Sequence, residues 1–157
     1  MGYGHRYTLR HEATVSTAIS ILQLVAGAAV PFLIVAASLT QDGSVTSVQE
    51  KIAFVRKSAA ATVTTAVVGT HLFKLRNADP TPGLTLSTTG TGVIATAEGT
   101  DTDVPYEKGF NVLSGWDFNP SEAERIHVPG AGIIALKFRT APASQVMQMS
   151  VTIEELG

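Results

Sequence analysis

The chain has 157 residues, a formal charge of −2 from 11 basic and 13 acidic residues, and no Cys. That length suits one domain able to bury about two-thirds of the surface its unfolded form exposes, and the lack of thiols excludes disulfides, thiolate metal sites and thiol nucleophiles. Dispersed, nearly balanced charge argues against the concentrated basic surface of a nucleic-acid binder, and a charged fraction of 15%, against roughly 25% in an average soluble domain, suggests that part of the surface meets other protein.

At the N-terminus Tyr3, His5, Tyr7 and Leu9 alternate with Gly4, Arg6, Thr8 and Arg10. This reads as an extended arm over residues 1–14, or an edge strand, with a single domain over 15–157. Residues 13–41 carry no charge, and 24–37 are apolar apart from Gly27 and Pro31. A membrane helix is the competing reading there. It is set aside because the uninterrupted run is shorter than about 18 residues and because Pro31 sits at its centre, as in a turn between two strands. No membrane partner is expected. Further strands are predicted at 18–24, 32–39, 52–57, 61–68, 72–75, 84–89, 93–97, 110–118, 126–128, 133–139 and 146–154, short and closely spaced, with Gly and Pro as punctuation. Abundant Thr and Val favour strands over helices. Only 49–56, and a single turn over 121–125 with Ser121 and Glu124 in capping-box positions, have helical character. The Asp-, Pro-, Gly- and Thr-rich stretches 77–83 and 98–108 read as the most exposed loops.

The last forty-nine residues hold the only Trp, three of the six Phe and the clearest strand pattern. Met147, Met149, Val151 and Ile153 alternate strictly with Gln148, Ser150, Thr152 and Glu154, the mark of a strand with one face in a core. Phe110, Trp116 and Phe118 share one parity, so on a single strand they would point to one face, Trp116 serving as core or as an interface or sugar-stacking anchor. The spacing indicates an all-β fold, an antiparallel β-sandwich or barrel.

Motifs for chemistry do not survive inspection. Gly90-Thr91-Gly92-Val93-Ile94-Ala95 matches a loose dinucleotide fingerprint but follows no buried parallel strand and starts no helix. His5, His11, His71 and His127 lack the spacing of a zinc helix. Asp101-Thr102-Asp103 lacks the other positions of a calcium loop. No Gly-x-Ser-x-Gly elbow occurs, and Glu122, Glu124, Glu154 and Glu155 read as surface carboxylates. No catalytic residue, metal ligand or cofactor is therefore expected. The candidate interface residues are Tyr3, Arg6, Tyr7, Arg10 and Trp116, which combine large amphipathic rings with planar cations.

The order Gly109-Phe110-Asn111, Gly115-Trp116, Asn119-Pro120, Glu124-Arg125-Ile126, Val128-Pro129, Leu136/Phe138, Ala141-Pro142 and Glu154-Glu155-Leu156-Gly157 resembles small structural proteins encoded among the head genes of tailed bacteriophages. The N-terminal half fits more loosely, through its Tyr/Arg lead, Val30-Pro31-Phe32 and Ile52-Ala53-Phe54-Val55-Arg56-Lys57. The resemblance implies a virion protein with a jelly-roll-type sandwich that sits on the outer capsid surface as a decoration or cement protein. Its partners would be the major capsid protein and further copies of itself, as a homotrimer first and a dimer second, and it would be made in the host cytoplasm. The alternative is a carbohydrate-binding module on a head fibre or tail, with Trp116 stacking on sugar.

Overall fold

The computed structural model describes residues 4–42 and 47–157. In chain order the strands are β1 (His5–Val15), β2 (Ser20–Val25), β3 (Phe32–Gln41), β4 (Gln49–Ala59), β5 (Thr62–Thr65), β6 (Leu72–Lys74), β7 (Gly92–Ala97), β8 (Thr100–Asn111), β9 (Trp116–Phe118), β10 (Ile126–Val128), β11 (Ile133–Phe138) and β12 (Gln145–Glu155), with one 3-10 turn at Glu122–Glu124. Sheet A runs β10-β3-β12-β1-β6, with β9 also on β3; sheet B runs β5-β7-β2-β11-β4-β8. Every strand pairing is antiparallel. The first four strands alternate between the sheets, and so do the last three, so the inner faces of both sheets close one core.

That core follows from side-chain parity. Tyr7 and Leu9 of β1 and Met147, Met149, Val151 and Ile153 of β12 are buried on one sheet, and Leu22, Leu24, Ile52, Phe54, Ile134, Leu136 and Phe138 on the other. In β3 the buried parity changes from Phe32 and Ile34 to Ala37 and Leu39. The pairing explains it: Thr152 is opposite Ala36 while Ile153 is opposite Ile34, so Val35 is an extra residue and both halves of the strand turn inward.

The continuous hydropathy of 20–25 has a different cause. All six residues of β2 are buried, because loops cover the face that points away from the core. The buried Gln23 side chain donates through Nε2 to the carbonyls of Ala61 (3.2 Å) and Gly90 (2.8 Å) and accepts through Oε1 from the Ala61 amide (2.9 Å). The Val25 amide donates to Thr91 Oγ1 at 3.0 Å. The Gly90-Thr91-Gly92 segment is thus a turn seated on β2. A Cβ on Gly92 would approach the Thr64 carbonyl oxygen to 2.3 Å, which is why Gly stands there.

Five expectations are corrected. The arm expected over 1–14 is not what its described residues form: β1 lies between β12 and β6, registered with β12 along its whole length from His5–Glu155 to Val15–Gln145. Residues 49–56 are strand, not helix. Residues 84–89 form a covering loop in which the Thr85 amide donates to the Val25 carbonyl and the Thr91 amide to the Thr85 carbonyl. Residues 98–108, read as a loop, are mostly β8, an edge strand exposed along most of its length; with little of it buried, it shows no hydrophobic alternation. Its Asp, Glu, Lys and Pro105 protect the open edge. Finally, 110–118 is not one strand. The Asn111 side chain accepts from the Leu113 amide at 2.9 Å and Gly115 takes φ +71°, turning the chain from β8 in sheet B to β9 in sheet A. The 121–125 turn forms as expected, with the Glu124 carboxylate accepting from the Ser121 hydroxyl (2.7 Å) and amide (3.3 Å).

Candidate binding surfaces

The five candidate interface residues fall in three places. Tyr3 lies outside the described residues. Tyr7 and Trp116 are core residues, 0% and 2% exposed, and neither can anchor a partner or stack on a sugar. Tyr7 donates from its hydroxyl to the Pro80 carbonyl at 2.9 Å. Burial, with Glu155 and Asp79 nearby, pushes its pKa up to about 12. Trp116 joins Phe54, Tyr106 and Phe118 in an aromatic cluster that ties the two sheets together, with ring centroids 4.8–6.3 Å apart. Its indole N–H donates to the Tyr106 hydroxyl at 3.1 Å. Phe110, Trp116 and Phe118 do all enter the core, but from two strands. Only Arg6 and Arg10 stand on the surface.

Both arginines belong to the outer face of sheet A. Arg6 pairs with Glu154 at 2.7 Å. Across the strands run hydroxyl pairs, Thr8 with Thr152 (3.0 Å) and Ser38 with Ser150 (2.8 Å), and the Gln148 amide donates to Glu12 at 2.9 Å. The Arg10 guanidinium lies 4.1 Å from the centre of the Phe73 ring, a favourable place for a cation. An open depression of about 620 Å³ occupies this face, bounded by Arg10, Glu12, Ser38, His71, Gln148 and Ser150 among others. At its rim the rings of His11 and His71 meet edge to face, 5.3 Å apart. The Val67 amide donates to His71 Nδ1 at 3.2 Å, which places any single ring proton on Nε2. Burial, and then the neighbouring His71, hold the His11 pKa below its ordinary value.

On sheet B one group of charges is enclosed. The Lys57 ammonium, its side chain 0% exposed, lies 2.8 Å from Glu98 and 2.6 Å from Asp101; Lys137 reaches the same carboxylates at 3.2 and 2.8 Å. The Ser20 amide and hydroxyl also donate to Glu98. Burial opposes the charged form of both carboxylates, but Lys57 and Ser20 for Glu98, and the hydrogen bonds and charge of both lysines for Asp101, outweigh it and hold both pKa values below the ordinary range. Asp101 and Glu98 thus complete a neutral quartet that fastens the β7–β8 turn to β4 and β11. Sequence reading missed this quartet, since its members are spread over eighty residues.

The loop 77–83 is anchored as well. His5 Nδ1 lies 3.2 Å from Asp79, and Glu155 accepts from the Gly83 amide at 2.7 Å. Among the described residues no group of three or more His, Asp or Glu is placed to hold a metal ion, and no helix is long and apolar enough to cross a membrane. Comparison with protein-family models, curated proteins and solved structures finds no match for this chain.

Proposed function

We propose that this chain is a non-enzymatic virion structural protein that binds the outer surface of a tailed-phage capsid as a cement or decoration protein. The observation that carries the reading is the strand order. Taken four strands to a sheet, β1-β12-β3-β10 packs on β2-β11-β4-β8, with β9 beside β10 on β3 and β5, β6 and β7 added between the halves, an order that fits the reading as an eight-stranded jelly roll. Jelly rolls recur in viral capsid proteins. A fold can host many functions; the phage-head resemblance of residues 109–157 and a chain poor in charge support the reading as well. The chemistry is mechanical: a protein that contacts two or more capsid subunits adds binding free energy to the assembled shell only, and repetition over the shell multiplies a modest interface. The test is to add purified protein to capsids that lack their decoration and to locate it by cryo-electron microscopy. Density on the outer shell, with a raised disassembly temperature, is the expected result; no retention on capsids would sink the reading.

The second reading is a carbohydrate-binding module of a head fibre or tail. Trp116 no longer supports it. What favours it is the hydroxyl- and amide-lined depression of sheet A and the occurrence of jelly rolls among lectins. A glycan array separates the two readings: reproducible hits lost in Gln148→Ala would favour it over the cement role.

A further inference from the structure

The few charges of this chain are mostly satisfied within it. Arg6 pairs with Glu154, Lys51 and Arg139 with Glu107, Arg56 with Asp103, and the quartet with itself. Among the described residues, the cations Arg10 and Lys74 form no ion pair, and both lie at one edge of sheet A, Arg10 on the outer face of β1 and Lys74, opposite Tyr7, on the inner face of β6. The carboxylates Asp117 and Glu122 form none either. They stand at the opposite edge, on β9 and in the turn that follows, with Glu124 beside them. Arg125 is the one cation of that turn, and its Nε is enclosed. Asp42 and Lys108 are unpaired elsewhere, but neither edge gathers them.

Apolar surface follows the same division. Of six large hydrophobic side chains exposed among the described residues, three flank β6: Val67, Val68 and Leu75. At the other edge, between β8 and β9, lies an open depression of about 350 Å³ with walls of Pro105, Tyr106, Phe118 and Pro120, in which Asp117 and Glu124 supply carboxylates. One edge thus offers aliphatic side chains beside cations, and the other an aromatic and proline-lined groove beside carboxylates.

We propose that the β6 edge of one copy of this chain docks into the β8–β9 groove of the next copy. Because the two surfaces differ and lie at opposite edges of one sheet, the contact is head to tail; such contacts give rings or open filaments according to the rotation between copies, and the ring is the form proposed. The inference deepens the self-association part of the reading above and is independent of the capsid.

Sedimentation of the purified protein without capsids tests it. The wild type forms a closed oligomer; Lys74→Glu and Asp117→Lys, each with an unchanged melting curve, weaken assembly about tenfold or more; and the two changes combined in one chain restore it, since the opposed charges are exchanged. Glu124 is kept because it closes its own turn with Ser121. A monomeric wild type would overturn the proposal. So would a double variant no better than the singles, the result expected if an edge met its own copy or another surface assembled. Capsid retention, measured separately on the same variants, bears on the cement reading alone.

Discussion

The outer faces of the two sheets have opposite fates. On sheet B the residues pointing away from the core are nonetheless enclosed: Gln23, Ala53, Val55 and Ala135 are at most 1% exposed, and the loops around Ala61 and Gly90 are bonded onto β2. On sheet A the corresponding positions, Thr8, Ser38, Ser150 and Thr152, stay partly open and pair hydroxyl to hydroxyl. The chain uses its own inserted segments to cover one sheet and leaves the other to solvent or to a partner. Sheet A and its edges are thus where the proposed docking would occur, and sheet B's outer layer is a matter of stability.

The strongest challenge to that division is removal of residues 4–12. Were the N-terminus a dispensable layer on sheet A, the fold would survive. It is an inner strand whose loss strips β12 of one of its two partners and removes Tyr7 and Leu9 from the core. The expected outcome is complete loss of cooperative unfolding, read by near-ultraviolet circular dichroism; a truncated protein that melts like the intact one would overturn the placement of β1.

Uncovering sheet B comes next in size. Gln23→Ala leaves the Ala61 amide and carbonyl and the Gly90 carbonyl without the side chain that satisfies them, at a cost of about 2–4 kcal/mol. Urea unfolding should show the midpoint falling at nearly constant slope. A loss no larger than that of a surface substitution would mean the covering loops are held by other means.

Acid separates the sheets by pH. His11 has a lowered folded pKa, so the neutral ring is the form the fold favours. Its contribution is complete above the ordinary value of 6.5 and declines as pH falls below it. The neighbouring His71 adds to the lowering and Glu12 opposes it. Glu98 and Asp101 are lowered carboxylates, so theirs is present above their ordinary values of 4.5 and 3.8 and is lost only as pH falls below those. Hydrogen-exchange protection factors, corrected for the slower intrinsic exchange in acid, should therefore fall in 66–74 on going from pH 7.5 to 5.5, while the β7–β8 turn stays protected until the carboxylates titrate. Simultaneous loosening of both would refute the assignment.

Legibility in the sequence tracked burial on one face. β10 was readable to the residue and β12 nearly so, because each alternates against a single core face. β8 was not, since an edge strand with little buried surface has no pattern to offer. The Tyr and Leu of β1 alternated correctly yet gave no sign that a strand from the far end of the chain and β6 would flank them. The apolar run through β2 and β3 hid two separate causes, a covering loop and a bulge. The break between Phe110 and Trp116 did carry a local signal, Asn111 followed by Ser114-Gly115, a turn composition outweighed by aromatic parity. Of the candidate interface residues that are described, the rings of Tyr7 and Trp116 point to the core and the arginines to the surface, because burial of an aromatic side chain stabilises more than its exposure.

The smallest effect belongs to the hydroxyl pairs. Ser38 and Ser150 lie 2.8 Å apart on a half-open face, where water can replace whatever bond is removed, so Ser38→Ala with Ser150→Ala should change stability by no more than about 0.5 kcal/mol. The same double change on sheet B, at groups enclosed by loops, would leave donors and acceptors with nothing to bond. Thermal melting of the isolated protein checks the first statement: a fall comparable to that of Gln23→Ala would show that the outer face of sheet A is a load on the fold itself. An unchanged melt, with altered retention on capsids or glycans, would show these hydroxyls serving a partner.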